Sequence, residues 1–374
     1  MKVLVTGAAG FLGRNFGAAL RRRPELELLE LDRDHTLEEL DAALEQADFV
    51  FHLAGSNRPP RPEEFTAVNV DLTAHLCRRL ARRGAAVPLV FSSSSQAALD
   101  NPYGASKRAA EDLLADHARA SGAPVFVFRL LNLFGKWGLP NYNSVVATFC
   151  HNSTRGLPLR VDNPAARLQL NYVDDVVAAF LALLDGAPAP DPGELLTVAT
   201  VHELSVGELR DRLEGYAAMR DAGRIPDMAD PLDAVLYPTW LSYLPGDAFA
   251  VTPELKTDPR GWLFEWIKTP HLGQVFVSTT KPGITRGNHY HDTKVETFCV
   301  VRGQAVIRFR PVDGSEVLEY PVDGARPQVV SIPPGYTHSI ENTGSEEMLC
   351  LFWSNQIFDP AAPDTHFLKV KDDQ

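Results

Sequence analysis

The pattern of apolar runs changes once, near residue 250, and that change constrains the fold more than any other feature of the chain. Up to about residue 130, short β-rich runs alternate with helical patterns: "KVLVTGA", then 12 to 22, "LELLEL", then 37 to 46, "ADFVFHLAG", then 64 to 83, "VPLVFSSS", then 105 to 121, "PVFVFRLL". Strands separated by helices mean βαβ units and a parallel sheet. Helical patterns return at 174 to 184 and 205 to 216. Beyond 250 the runs "GQVFVSTT", "TFCVV", "QAVIRFRPV", "PQVVSIPPG" and "MLCLFW" follow one another between Gly, Pro and Asp turns, as in an all-β sandwich or small barrel. The expected fold class is therefore α/β with a Rossmann-type first domain, residues 1–248, followed by an all-β domain, residues 249–374. A length of 374 residues is ample for two cores.

A formal charge of -12 and no basic run longer than "RRR" at 21 to 23 argue against a nucleic-acid footprint, leaving a small molecule as the expected partner. The four cysteines form no CxxC pair. The first residues lead straight into a strand, and no apolar run approaches the ~20 residues a bilayer span requires. The expected setting is cytoplasmic, with reduced thiols and no membrane.

Gly7, Gly10 and Gly13 lie between a strand and a helix. Glycine there lets the backbone turn sharply, approach a pyrophosphate and offer it a helix N-terminus. "YGASK" puts Tyr103 and Lys107 four apart on one helical face, just after the strand ending in "SSSS". A lysine ammonium beside a phenol favours the phenolate and makes the tyrosine a usable proton donor. With "HLAG" at 52 to 55, "NLFG" at 132 to 135 and "NYVDDV" at 171 to 176, these features resemble the extended short-chain dehydrogenase/reductase family over residues 1 to 245. The resemblance implies NAD(P) on the glycine turn, Tyr103 as acid, Lys107 on the nicotinamide ribose, and a serine polarising the substrate carbonyl. Ser94 fits that position best, with Ser93 as runner-up. Ser94 and Tyr103 are unusually close in sequence for an extended member, so an open substrate pocket is expected. At the end of the second strand Asp32 would bond a ribose 2'-hydroxyl and favour NAD, whereas Arg33 would pair with a 2'-phosphate and favour NADP. Arg167 stands where family members that bind nucleotide sugars often contact the diphosphate.

In "GNHYHDTKVETF", residues 287 to 298, His289 and His291 project to one side of a strand, with Glu296 expected on the neighbouring strand. His338 of "PPGYTH" completes three imidazoles and a carboxylate, a donor set suited to zinc or a similar divalent ion. The spacing of Gly283, His289, His291, Glu296 and Gly303, then Pro333, Gly335, His338 and Asn342, resembles the cupin family (double-stranded β-helix, or jelly roll). "DPRGWLFEW" at 258 to 266 and "RGNHYH" at 286 to 291 also resemble metal-free cupin epimerases of nucleotide-linked 4-keto-deoxyhexoses. In those a histidine at the place of His289 is the base. The complete ligand set favours the metal; the base is then another group, with Lys268, Tyr290 and His271 as candidates.

In this order of domains, "NPYGASK", "NLFGKW", "KPGITRGNH" and "PPGYTHSIEN" make the chain closely resemble the bifunctional capsular polysaccharide enzymes of the CapF type. That resemblance implies C3 epimerisation of a UDP-linked 4-keto-6-deoxy amino sugar in the cupin, then NADPH-dependent C4 reduction in the first domain. The product lies on the way to N-acetyl-L-fucosamine, and a homodimer is implied. The alternative is a reductase whose β domain only binds or dimerises.

Overall fold

The computed structural model of the chain describes residues 1–58, 61, 63–186 and 188–371. Its twenty strands are β1 Lys2–Thr6, β2 Glu27–Leu31, β3 Phe49–His52, β4 Leu89–Ser94, β5 Val125–Leu130, β6 Asn132–Phe134, β7 Arg167–Tyr172, β8 Leu195–Leu196, β9 His202–Ser205, β10 Lys256–Asp258, β11 Gly261–Thr269, β12 Gly273–Thr280, β13 Thr285–Tyr290, β14 Glu296–Arg302, β15 Gln304–Pro311, β16 Leu318–Asp323, β17 Val329–Ile332, β18 Tyr336–Asn342, β19 Met348–Ser354 and β20 His366–Phe367. They fall into two compact units: residues 1–214 with 235–245, and residues 215–234 with 246–374.

In the first unit a parallel sheet runs β2-β1-β3-β4-β5-β8. Both faces are covered, which is why its strands read as near-continuous apolar runs. Leu4 and Val50 belong to one core layer, whereas Val3, Val5, Phe49 and Phe51 belong to the other. Strand order reverses at β1, and ligands of such sheets bind beyond the carboxyl ends of the strands at that reversal. The helix Pro102–Ser121 starts where the sequence signals it: Asn101 accepts from the Gly104 N–H at 2.8 Å, Pro102 occupies the first turn, and Gly122 ends the helix at φ 70°. Tyr103 and Lys107 are thereby set in its first two turns.

The second unit carries two antiparallel sheets, β10-β11-β12-β19-β14-β17 and β16-β15-β18-β13-β20. One core serves both, because Phe298, Met348 and Phe352 from the first sheet pack with Ile307, Phe309 and Ile340 from the second. The two-part architecture expected from the sequence is the one observed. The expected boundary after residue 248 differs in detail, since the division falls after Pro245 and the segment 215–234 groups with the β unit. The reason is a short parallel bridge, in which Ile225 N–H donates to Lys268 O and Lys268 N–H to Gly223 O, both at 3.0 Å. A second difference concerns Glu296: β13 and β14 are not neighbours but belong to different sheets.

Candidate active site and metal centre

Beyond the carboxyl ends of β1, β3 and β4 lies a cavity of about 1210 Å³, lined among others by Gly7, Gly10, Gly13, Asp32, Arg33, Ser94, Tyr103 and Lys107. Of the first-domain site residues expected from the sequence, all but Arg167 meet here. Gly7 sits at φ 71°, and a Cβ there would lie 2.6 Å from the Ala54 nitrogen; one on Gly13 would lie 2.1 Å from the Gly7 oxygen. The turn is thus closed so tightly that only hydrogen fits at these positions. Asp32 braces it, accepting from the Ala9 N–H at 2.7 Å and from its neighbour's N–H, that of Arg33, at 2.8 Å. The Arg33 guanidinium makes no ion pair among the described residues and borders the same cavity.

Ser93 and Ser94 have separate duties. Ser93 is buried and donates to Glu111, which also holds Arg129 through two contacts of 3.0 and 2.7 Å. Ser94 faces the cavity beside Tyr103 and accepts from the Gln96 N–H at 3.2 Å. One 3-10 turn, Ser95–Ala98, spans from β4 to the helix of Tyr103. Burial pushes the Tyr103 phenol above its ordinary value, and the neighbouring Ser94 pulls it back only in part. The phenol is thus raised, not lowered as the neighbouring lysine led one to expect, and the buried Lys107 ammonium donates to the Ser92 carbonyl at 2.9 Å. Burial brings Lys107 itself down to about 8, against an opposing pull from Glu111. Arg167 does not join this cavity: it is exposed, pairs with Glu208 at 3.5 Å and borders a separate shallow pocket with Ser95, Asn132 and Gln169.

In the second unit His289, His291, Glu296 and His338 come together, each with a ligand atom within 4.8 Å of the others'. His289 and His338 face each other in register on β13 and β18, after a bulge in which Gly287 and Asn288 take φ of 94° and 60°. Glu296 reaches the group from the opposite sheet, its Oε2 3.4 Å from His291 Nε2 and 3.6 Å from His338 Nε2. The Nε2 atoms of His291 and His338 are buried with no hydrogen-bond partner, although His291 Nδ1 meets the Asp364 carbonyl at 2.5 Å. Burial holds His289 down at about 4, helped by the neighbouring imidazoles. Burial pushes Glu296 up, but the electrostatic pull of the neighbouring His291 and His338 outweighs it and leaves the carboxyl at about 2. Three imidazoles and a carboxylate, all but His289 buried and with ligand atoms within 4.8 Å of one another, could hold a divalent ion of the zinc type. Of the other candidates, His271 is exposed on Asp227 at 2.7 Å, Lys268 pairs with Glu265 at 2.9 Å, and Tyr290 packs on His366. Sequence reasoning missed Glu111, Arg129 and Asp364, none of which falls in a local motif.

Residues 3–199 match the NAD dependent epimerase/dehydratase family, and residues 256–366 match the Polysaccharide biosynthesis C-terminal domain. The chain belongs to this NAD-dependent family, joined to that C-terminal domain. It is 42% identical to the UDP-2-acetamido-2,6-beta-L-arabino-hexul-4-ose reductase of Pseudomonas aeruginosa over 99% of both chains. The crystal structure of capsular polysaccharide assembling protein CapF from Staphylococcus aureus superposes with a TM-score of 0.91 at 44% identity, over 99% of this chain and 100% of that one. The likeness runs through both units, so the chain is of the CapF type. A Bacillus cereus UDP-glucuronic acid 4-epimerase in complex with NAD, with a TM-score of 0.52 and 18% identity over 58% of this chain and 83% of that one, shares the fold alone. No helix among the described residues is long and apolar enough to cross a membrane.

Proposed function

We propose that the chain acts on a UDP-linked 2-acetamido-2,6-dideoxy-4-keto-hexose, inverting C3 in its second unit and then reducing the C4 ketone with NADPH in its first, toward UDP-N-acetyl-L-fucosamine. The observation that carries the reading is the convergence of Ser94, Tyr103 and Lys107 on the cavity of the glycine turn. The end-to-end likeness to a P. aeruginosa protein named as a reductase of a UDP-linked hexul-4-ose supplies the substrate class.

When bound, the nicotinamide supplies the hydride to C4, and a divalent ion supplies positive charge beside the ketone oxygen. Ser94 donates a hydrogen bond to the C4 carbonyl oxygen, and Tyr103 gives that oxygen the proton that balances the hydride. A phenol raised by burial keeps this proton at neutral pH. Lys107 places positive charge beside the reacting pair and bonds the nicotinamide ribose. Both oxygens of Asp32 are engaged by backbone N–H groups, which leaves the Arg33 guanidinium to meet a 2'-phosphate and favours NADPH. In the second unit the cluster of His289, His291, Glu296 and His338 is the donor set that would hold that ion.

The test is incubation with UDP-linked 4-keto-6-deoxy amino sugars and NADPH in D2O, with products read by NMR. The expected product is reduced at C4, inverted at C3 and deuterated there. Reduction without C3 deuterium would leave the β unit a non-catalytic module, and no reduction of any ketone would overturn the whole reading.

A further inference from the structure

His291 lies one residue beyond the end of β13, so no strand ladder sets its orientation. The loop that follows it, 292–294, turns its backbone N–H groups onto one distant side chain. Asp364 accepts from Asp292 N–H at 2.9 Å, Thr293 N–H at 3.0 Å, Lys294 N–H at 2.9 Å and the Thr293 hydroxyl at 2.9 Å. The backbone carbonyl of the same residue takes His291 Nδ1 at 2.5 Å. Lys294, itself buried, donates to the adjacent Pro363 carbonyl at 3.0 Å. Asp364 stands at φ 38°, a left-handed conformation that Asp tolerates better than most residues but that surrounding contacts must hold. The far end of the segment is tied independently: Leu368 N–H donates to Asn288 O at 2.9 Å, and Arg310 donates to Lys369 O at 2.7 Å and Val370 O at 3.0 Å.

We infer that Asp364 is a positioning residue for the metal centre, fixing the orientation and tautomer of His291 through its carbonyl and the loop behind His291 through its carboxylate. A neutral imidazole whose proton sits on Nδ1, facing a carbonyl, has its lone pair on Nε2. That is the nitrogen left buried without a partner at the four-donor cluster. The carbonyl accepts from Nδ1–H with residue 364 in its left-handed conformation, and the three N–H bonds to its carboxylate tie the residue to the loop behind His291. Partners of this kind behind a metal-binding histidine contribute typically 10- to 100-fold to metal affinity. The inference rests on the reading that the cluster binds a divalent ion.

The test compares the wild-type chain with Asp364→Ala, Asp364→Asn and Arg310→Ala, measuring zinc affinity by competition with a chromogenic chelator and the His291 tautomer by nitrogen-15 NMR of the imidazoles. Asp364→Ala is expected to weaken zinc binding by about 10- to 100-fold and to lose the fixed Nδ1–H tautomer. Asp364→Asn should fall between, since a carboxamide oxygen still accepts and Asn also tolerates positive φ. Arg310→Ala, which releases the far end of the segment and the Gly314 carbonyl but nothing near Asp364, should keep both properties. A merely structural role would lower the melting temperature of the metal-free Asp364 variants while zinc affinity and tautomer stayed at wild-type values, and that result overturns the inference. If the wild type binds no zinc, the metal reading fails first. The tautomer comparison then still decides whether Asp364 orients His291, with Asp364→Asn as the folded variant.

Discussion

Two adjacent serines on β4 share a chemistry and differ only in what they touch, which makes them a direct test of the first site. Ser94→Ala should lose most of the reduction rate, because it removes a donor from the substrate carbonyl. Ser93→Ala should leave the rate nearly intact and lower stability by about 1.5–3 kcal/mol, the usual contribution of a hydrogen bond to a charged partner, here Glu111. Activity assays paired with urea melts separate the two outcomes, and the reverse pattern would exchange their roles. Tyr103→Phe should cost about 10²- to 10⁴-fold in NADPH oxidation, the range for a general acid, with no loss of cofactor binding. Lys107 sets the alkaline limit of the reaction. Its pKa is lowered to about 8, so it carries its charge below that pH and loses it as pH rises through it. The reduction rate should therefore fall above about 8, while an unperturbed lysine would hold it to well beyond pH 9. For cofactor choice, Arg33→Ala should raise the KM for NADPH and leave that for NADH unchanged.

At the level of elements, the glycine turn between β1 and the helix Phe11–Leu20 has no slack. Gly13→Ala sets a methyl 2.1 Å from the Gly7 oxygen, so strand and helix must separate. A cost of about 1–3 kcal/mol, the usual range for overpacking, and loss of cofactor binding are expected together, read by a thermal melt and NADPH fluorescence. This turn, the alternating strands and the Tyr103–Lys107 pair were legible in sequence because each signal lies within a few residues. The sheet to which Glu296 belongs was not. Its spacing from His291 suits a hairpin, and only the long-range pairing of β14 with β17 and β19 moves it across to the opposite sheet. The choice between Ser93 and Ser94 likewise waited on Glu111 and Arg129, which no motif around the serines announces. Asp364 stands 73 positions from the histidine it holds, beyond any local pattern. The convergence of four potential metal donors was legible nonetheless, because strand alternation fixes which way His289 and His338 face once the two strands pair.

The order of the proposed steps follows from the chemistry of one carbonyl. Removing the C3 proton leaves negative charge that only the C4 ketone can accept, and hydride transfer to C4 destroys that ketone. Epimerisation must therefore precede reduction, and a chain that cannot reduce should still exchange its C3 proton. Cutting the chain is a poor way to show this, because a fragment beginning near residue 250 would lack the segment 215–234. That segment contributes the bridge to Lys268, the hydrogen bond of Asp227 with His271 at 2.7 Å and the Tyr216 to Asp233 hydrogen bond at 2.5 Å. Point variants of the full chain keep both units whole. Tyr103→Phe, incubated in D2O with the 4-keto substrate and no nicotinamide, should build up deuterium at C3 without forming alcohol. His338→Ala, which removes a buried donor of the second unit, should still oxidise NADPH with a substrate already inverted at C3 and should take up no deuterium from one that is not. If the His338 variant exchanges C3 at the wild-type rate while the Tyr103 variant does not, the two steps share the first cavity and the division of labour between the units is wrong.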